Sequence, residues 1–238
     1  MVKKMKWRRW LGWGSAAALA LCASVASSQD VSFFSFFTGW PPSQYDLDSV
    51  ERIAERPGRP DCDTTSLVRY RGDKIRYART ARVHSAFVPR LSRFESLVTQ
   101  LAIEHYGRSP RRLRHRGAFN CRIARGRNLR ISEHAFGNAL DLQGFEFPAL
   151  RGEEEAPEDM PRRMRRGFTL TILEHWTPRR PRDAYHAQFL HRLTDALRVR
   201  PDIFRGIVGP PRPRHRDHLH LDASPWRYAM YAYDRIGE

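Results

Sequence analysis

The chain has 238 residues, 41% of them hydrophobic and 29% charged, which supplies apolar surface for one packed core and excludes a disordered or fibrous chain. Lys and Arg number 42 against 26 Asp and Glu, giving a formal charge of +16, so the partners this surface attracts are anionic.

The first 26 residues read as a signal peptide. Lys3, Lys4, Lys6, Arg8 and Arg9 make a basic start, residues 11–25 are apolar or small, and Ser24, Val25 and Ala26 offer a small-residue cleavage site. An uncleaved N-terminal anchor is the competing reading, because the apolar run is nearly long enough to span a bilayer. Arg8 and Arg9 resemble a twin-arginine signal only loosely, and Leu21 before Cys22 argues against a lipidated cysteine. A periplasmic or secreted location in a bacterial envelope is therefore expected. Export leaves Cys62 and Cys121 as an even pair in an oxidising compartment, and one disulfide between them is expected, worth about 4 kcal/mol by chain entropy. Neither cysteine has a nearby Cys or His with which to bind zinc.

Export also decides what the charge meets. Removing the five cations of residues 1–26, with no acidic residue lost, leaves +11. The expected partner is an anionic envelope polymer. Nucleic acid is not expected, despite the runs RRLRHR (111–116) and RRMRR (162–166), part of which is a solvated face, and a membrane enters only through an uncleaved N-terminal segment.

Residues 27–60, with FFSFF at 33–37, show no sustained period and read as a linker or a packed-down N-terminal arm, leaving 61–238 as the domain. Leu91, Phe94, Leu97, Val98, Leu101 and Ala102 recur at helical spacing between Pro89 and Gly107, so residues 89–106 are expected to be helix. A short strand at 113–119, a basic loop at 120–130 and a strand at 138–145 follow. Residues 151–167 read as a charged surface loop, 168–176 as a strand, and 184–199 as a second helix with Phe189, Leu190, Leu193 and Leu197 on one face. Residues 204–209 are a strand or turn, and HLHLD (218–222) is expected to be the last strand. Helices and strands without regular βαβ alternation give an α+β class, with a small antiparallel sheet flanked by helices.

HRDHLHLD (215–222) crowds three histidines and two aspartates into eight positions. In a strand, His218, His220 and Asp222 share a face while Leu219 and Leu221 point into the core, which is how a strand offers metal ligands. A partner cluster stands at SEHAFGNALD (132–141), where Gly137 and Asn138 turn the chain so that His134 and Asp141 can reach one ion. A carboxylate oxygen with two imidazoles is a donor set that suits Zn²⁺.

Ser132, His134, Gly137, Ala139 and Asp141, in the pattern S-x-H-x-x-G-x-A-x-D with H-x-H downstream, resemble the signature of the lysostaphin/D-Ala-D-Ala metallopeptidase group of zinc peptidases. Residues 121–145 together with 215–222 more closely resemble the extensin-like C-terminal domain proteins of bacteria, with the match running from about Cys62 to Asp222 and residues 1–61 outside it. The resemblance implies a lysostaphin/D-Ala-D-Ala metallopeptidase-like fold holding one zinc by His134, Asp141 and His220, with His218 facing the site. The spacing of His215, His218 and His220 is similar to that of the penicillin-insensitive murein endopeptidases of that group, which cleave peptide cross-links in peptidoglycan.

The chemistry expected is hydrolysis of peptide bonds in peptidoglycan stem peptides or cross-links by an exported zinc enzyme. Many members of the group take their general base from E-x-x-H. Here the one tempting counterpart is LEHW (173–176), in which Glu174 and His175 would point to opposite faces of a strand. His218 is the expected base and His215 a proton donor or oxyanion stabiliser. Asp217 and Asp222 orient imidazoles. Arg122 and Arg130, beside Ser132, are candidates for holding a substrate carboxylate or the oxyanion, against the plainer reading of a solvated basic loop. His84, His105, His115, His186 and His191 are taken as structural. The alternatives are a non-catalytic wall-binding protein that keeps the metal for structure, and an anion-binding accessory protein without metal.

Overall fold

Residues 45–125, 129–152 and 155–233 are described by a computed structural model; the expected signal segment and residues 27–44 lie outside the described residues. Leu91, Phe94, Val98 and Leu101 form the buried stripe of helix α1 (Val88–Tyr106). Its first turn accepts a proline because that N–H has no helical partner, and Gly107 ends it in the left-handed region at φ 69°. A four-residue turn, α2 (Ile172–His175), comes next in the chain, and the second long helix, α3 (Ala184–Arg198), buries Phe189, Leu190, Leu193 and Leu197. Both long helices share one apolar core with the sheet.

The strands are β1 (Leu67–Tyr70), β2 (Arg76–Tyr77), β3 (Ala81–His84), β4 (Arg112–His115), β5 (Ala139–Phe147), β6 (Phe168–Thr171), β7 (Gly206–Val208), β8 (Leu219–Asp222) and β9 (Tyr228–Met230). β1 and β3 form a small antiparallel ladder, and the main sheet runs β2-β4-β5-β8-β7-β9 with β6 also on β5. The nine-residue β5 organises it. One edge pairs with β4, while the other takes β8 along residues 139–142 and β6 along 144–147.

The α+β class is observed, with three departures from expectation. The sheet is mixed, because β2 runs parallel to β4 and β9 parallel to β7 at its two edges. Residues 168–176 are not one strand: the Thr171 hydroxyl accepts the Glu174 N–H at 3.2 Å and turns the chain into α2. HLHLD is not the last strand, since β9 follows it. The expected surface loop at 151–167 is anchored by two buried methionines, Met160 and Met164.

Cys62 and Cys121 form the expected disulfide, 59 residues apart in sequence. Glu95 of α1, fully buried, accepts hydrogen bonds from the Tyr70 hydroxyl (2.7 Å) and from the backbone N–H groups of Asp73, Lys74 and Ile75. One carboxylate thus ties α1 to the turn between β1 and β2. Among the described residues no helix is long and apolar enough to cross a membrane.

Candidate metal centre

Antiparallel register brings the two sequence clusters together. Asp141 on β5 lies directly opposite His220 on β8, while Leu140, Leu142, Leu219 and Leu221 on the reverse face are fully buried. A residue slip in either strand would send these polar groups into the core, so the leucines fix the pairing. His134 enters from a 3₁₀ turn (Glu133–Phe136) just ahead of β5. Gly137 ends that turn at φ 63°, and a Cβ there would lie 2.5 Å from a Leu67 methyl and 2.7 Å from the His84 nitrogen. Only glycine fits both the conformation and the space.

Three donor atoms converge. His134 Nε2 is 3.1 Å from Asp141 Oδ1 and 3.0 Å from His220 Nδ1, and His220 Nδ1 is 3.2 Å from Asp141 Oδ1. Each imidazole spends its other nitrogen elsewhere: His134 Nδ1 donates to the Ala118 carbonyl at 2.5 Å, and His220 Nε2 donates to Asp222 Oδ2 at 2.8 Å. With both rings neutral, three lone pairs face one point and no proton lies between them. Donors at zinc distances around a tetrahedron stand about 3.3 Å apart, so the spacing and the chemistry both fit a divalent cation. Without one, Asp141 and the histidines compensate each other. Burial pushes Asp141 up, but hydrogen bonds from His134 and His220 outweigh it and hold the carboxyl well below its usual range. Burial lowers His220, and hydrogen bonds to Asp141 and Asp222 overcome that and carry it up to about 10.

The partners of His220 are themselves held. Asp222 accepts from the Ser224 N–H at 3.0 Å and from the Tyr228 hydroxyl, which reaches it from β9. Gly206 on β7 makes room for this pair, since a Cβ there would meet Asp222 Oδ1 at 2.4 Å and the Tyr228 ring at 2.5 Å.

His218 lies just before β8. Its Nδ1 donates to Asp217 Oδ1 at 2.8 Å, and its Nε2 faces the centre, 3.7 Å from Asp141 Oδ1. Arg116 forms an ion pair with Asp217. The His215 ring lies 5.0 Å from that of His218, with Nδ1 on the Pro213 carbonyl. Burial and the neighbouring imidazoles push His215 below its ordinary value, which disfavours the charged form that a proton donor needs.

These residues line a cleft of about 1000 Å³ that also includes Ser132, Arg122 and Arg130. Arg130 lies over the Trp226 ring at 4.1 Å. Arg122 is half-buried, and its side chain makes a long contact of 3.4 Å to the Ile123 carbonyl. Glu174 and His175 do not line the cleft, and the reason is the helical turn at 172–175 rather than strand alternation. The five remaining histidines bond to groups outside the cleft: His105, His115 and His191 to backbone carbonyls, His186 to Tyr106, and His84 to the Ala86 N–H.

Sequence reasoning missed the support behind the 3₁₀ turn. Arg52 pairs with buried Glu133 at 2.7 Å and also donates to the Leu47 and Val50 carbonyls. Glu133 accepts from Asn138 Nδ2 at 2.7 Å, and Asn138 Oδ1 accepts from Tyr45. Glu133 and Asn138 sit inside the motif that carries His134 and were the available signal. Nothing local marks Arg52 or Tyr228, whose partners are 81 and 6 residues away.

Residues 43–154 match the family model described as extensin-like protein C-terminus. The match starts earlier than the expected Cys62, so it takes in the Arg52 segment, and it ends before HRDHLHLD. No curated protein and no solved structure matches the chain.

Proposed function

We propose that this chain is an exported zinc-dependent hydrolase that cleaves peptide bonds in peptidoglycan stem peptides or cross-links. The observation that carries the reading is the convergence of His134 Nε2, His220 Nδ1 and Asp141 Oδ1 with both imidazole protons committed elsewhere. A zinc ion held by these three groups supplies Lewis-acid polarisation of an amide carbonyl and makes water more acidic.

His218 does the proton transfer. Its Nε2 takes the proton from the attacking water, Asp217 stabilises the imidazolium through Nδ1–H, and the same Nε2–H then passes to the departing amine. Arg116 pairs with Asp217 and holds it in place. His215, whose charged form is disfavoured, closes the cleft beside His218, and Arg122 is placed to meet an anionic group of the substrate. The H-x-H and S-x-H-x-x-G-x-A-x-D patterns support the relation to the lysostaphin/D-Ala-D-Ala metallopeptidase group, and the signal-like residues 1–26 support an envelope location.

Metal analysis of the purified chain beside digestion of peptidoglycan sacculi tests this. The expected result is one zinc per chain and release of new amines, with zinc kept but release abolished in His218→Ala, and zinc lost in Asp141→Ala. Zinc retention with no amine release by the wild-type chain would leave a structural metal in a wall-binding protein.

A further inference from the structure

Among the described residues, the cleft around the candidate centre holds six arginines and no lysine, and its carboxylates do not balance them. Glu133 is taken by Arg52 and Asn138, Asp222 by His220 and Tyr228, and Asp217 by His218 and Arg116, while Asp141 belongs to the centre itself. Arg130 lies over Trp226. That leaves Arg122, Arg125, Arg214 and Arg216, none of which pairs with a carboxylate among the described residues. They come as two pairs. One is carried by the segment leading into His134, and the other by the segment leading into His218 and His220. Arg214 holds φ at 68° without being a glycine, a conformation that persists only where the surroundings impose it.

We propose that the cleft selects acidic peptides, with carboxylates on both sides of the amide held at the centre. The selection deepens the hydrolytic reading and rests on it for the placement of that amide. Guanidinium groups match carboxylates two bonds at a time, and like charges gathered along a cleft add to a field that raises the local concentration of an anion. A neutral peptide gains nothing from the four unmatched cations and leaves them to repel one another.

Stem peptides released from peptidoglycan, native or with their carboxylates converted to amides, are titrated calorimetrically into the zinc-loaded full-length chain and into the chelator-treated chain. The native peptide is expected to bind about tenfold tighter than the amidated one in both forms, with the advantage shrinking as salt rises. The double variants Arg122→Gln/Arg125→Gln and Arg214→Gln/Arg216→Gln should each remove severalfold of that advantage. All four side chains are exposed or half-exposed, so folding, read by far-UV circular dichroism, is expected to survive. Equal affinity for the two peptides overturns the inference, as does inorganic polyphosphate binding as tightly as the native peptide. Selective binding without cleavage keeps the inference and removes the hydrolytic reading, whereas cleavage of both peptides with equal kcat/KM does the reverse.

Discussion

His134 and His220 offer different nitrogens to the same point, and in each ring the second nitrogen is fixed by a partner the chain supplies separately. For His134 that partner is a backbone carbonyl, which mutation cannot remove. For His220 it is Asp222, buried and held by Tyr228, so its tautomer depends on side chains. Asp222→Asn is expected to weaken zinc binding by about 10- to 100-fold, measured by competition with a chromophoric chelator, and Tyr228→Phe by less, because Ser224 still holds the carboxylate. The strand alternation of H-x-H-x-D is legible in the sequence alone, since period 2 puts the two leucines on one face and the polar groups on the other. Tyr228 is not, because its β9 is three residues long and owes its place to parallel pairing with β7.

A short 3₁₀ turn has too few hydrogen bonds to hold a ligand by itself, and the turn carrying His134 is braced from outside. Arg52 and Glu133 are each about 5% exposed, and the pair joins the N-terminal segment to the turn at 2.7 Å. Burial pushes the Glu133 carboxyl up, against the pull of Arg52. Removing one member of a buried pair strands the other, so Arg52→Ala is expected to cost about 3 kcal/mol in urea unfolding. Arg52→Ala combined with Glu133→Gln should recover part of this, and unchanged stability in the single variant would show that the brace is not needed. Element by element, α1 and α3 were readable from apolar stripes and β5 from alternation. The break at Thr171 was missed because TLTIL suits a strand on propensity, and a side-chain cap reaching three residues ahead decided otherwise.

At the scale of the whole molecule, acid is expected to weaken the fold. Burial pushes His105, His115 and His191 below their ordinary value, and burial with His175 and Arg163 nearby pushes His186 down to about 3. The unfolded chain binds these protons near pH 6.5 and the native chain refuses them, so their contribution is complete above pH 6.5 and is lost as pH falls, towards about pH 3 for His186. In the metal-free chain His220 does not offset the slope, because below pH 6.5 it is protonated in both states. Thermal unfolding followed between pH 7 and 4 should show a steadily falling Tm, and a flat profile would contradict the buried neutral histidines. Reduction of the Cys62–Cys121 bond is expected to cost about 4 kcal/mol, because it frees a long loop in the unfolded chain; equal urea midpoints with and without reductant would count against this.

The sequence by itself determined the periodicities, the two segments that carry the candidate ligands and the cysteine pair, because each is set by local spacing or by simple parity. Only the tertiary structure decided that Asp141 faces His220 across β5 and β8, that an arginine from residue 52 braces the turn of His134, and which cleft arginines stay unmatched. Those depend on register and on contacts between residues far apart in the chain, where the free energy is summed over the whole core and no single window of residues carries it.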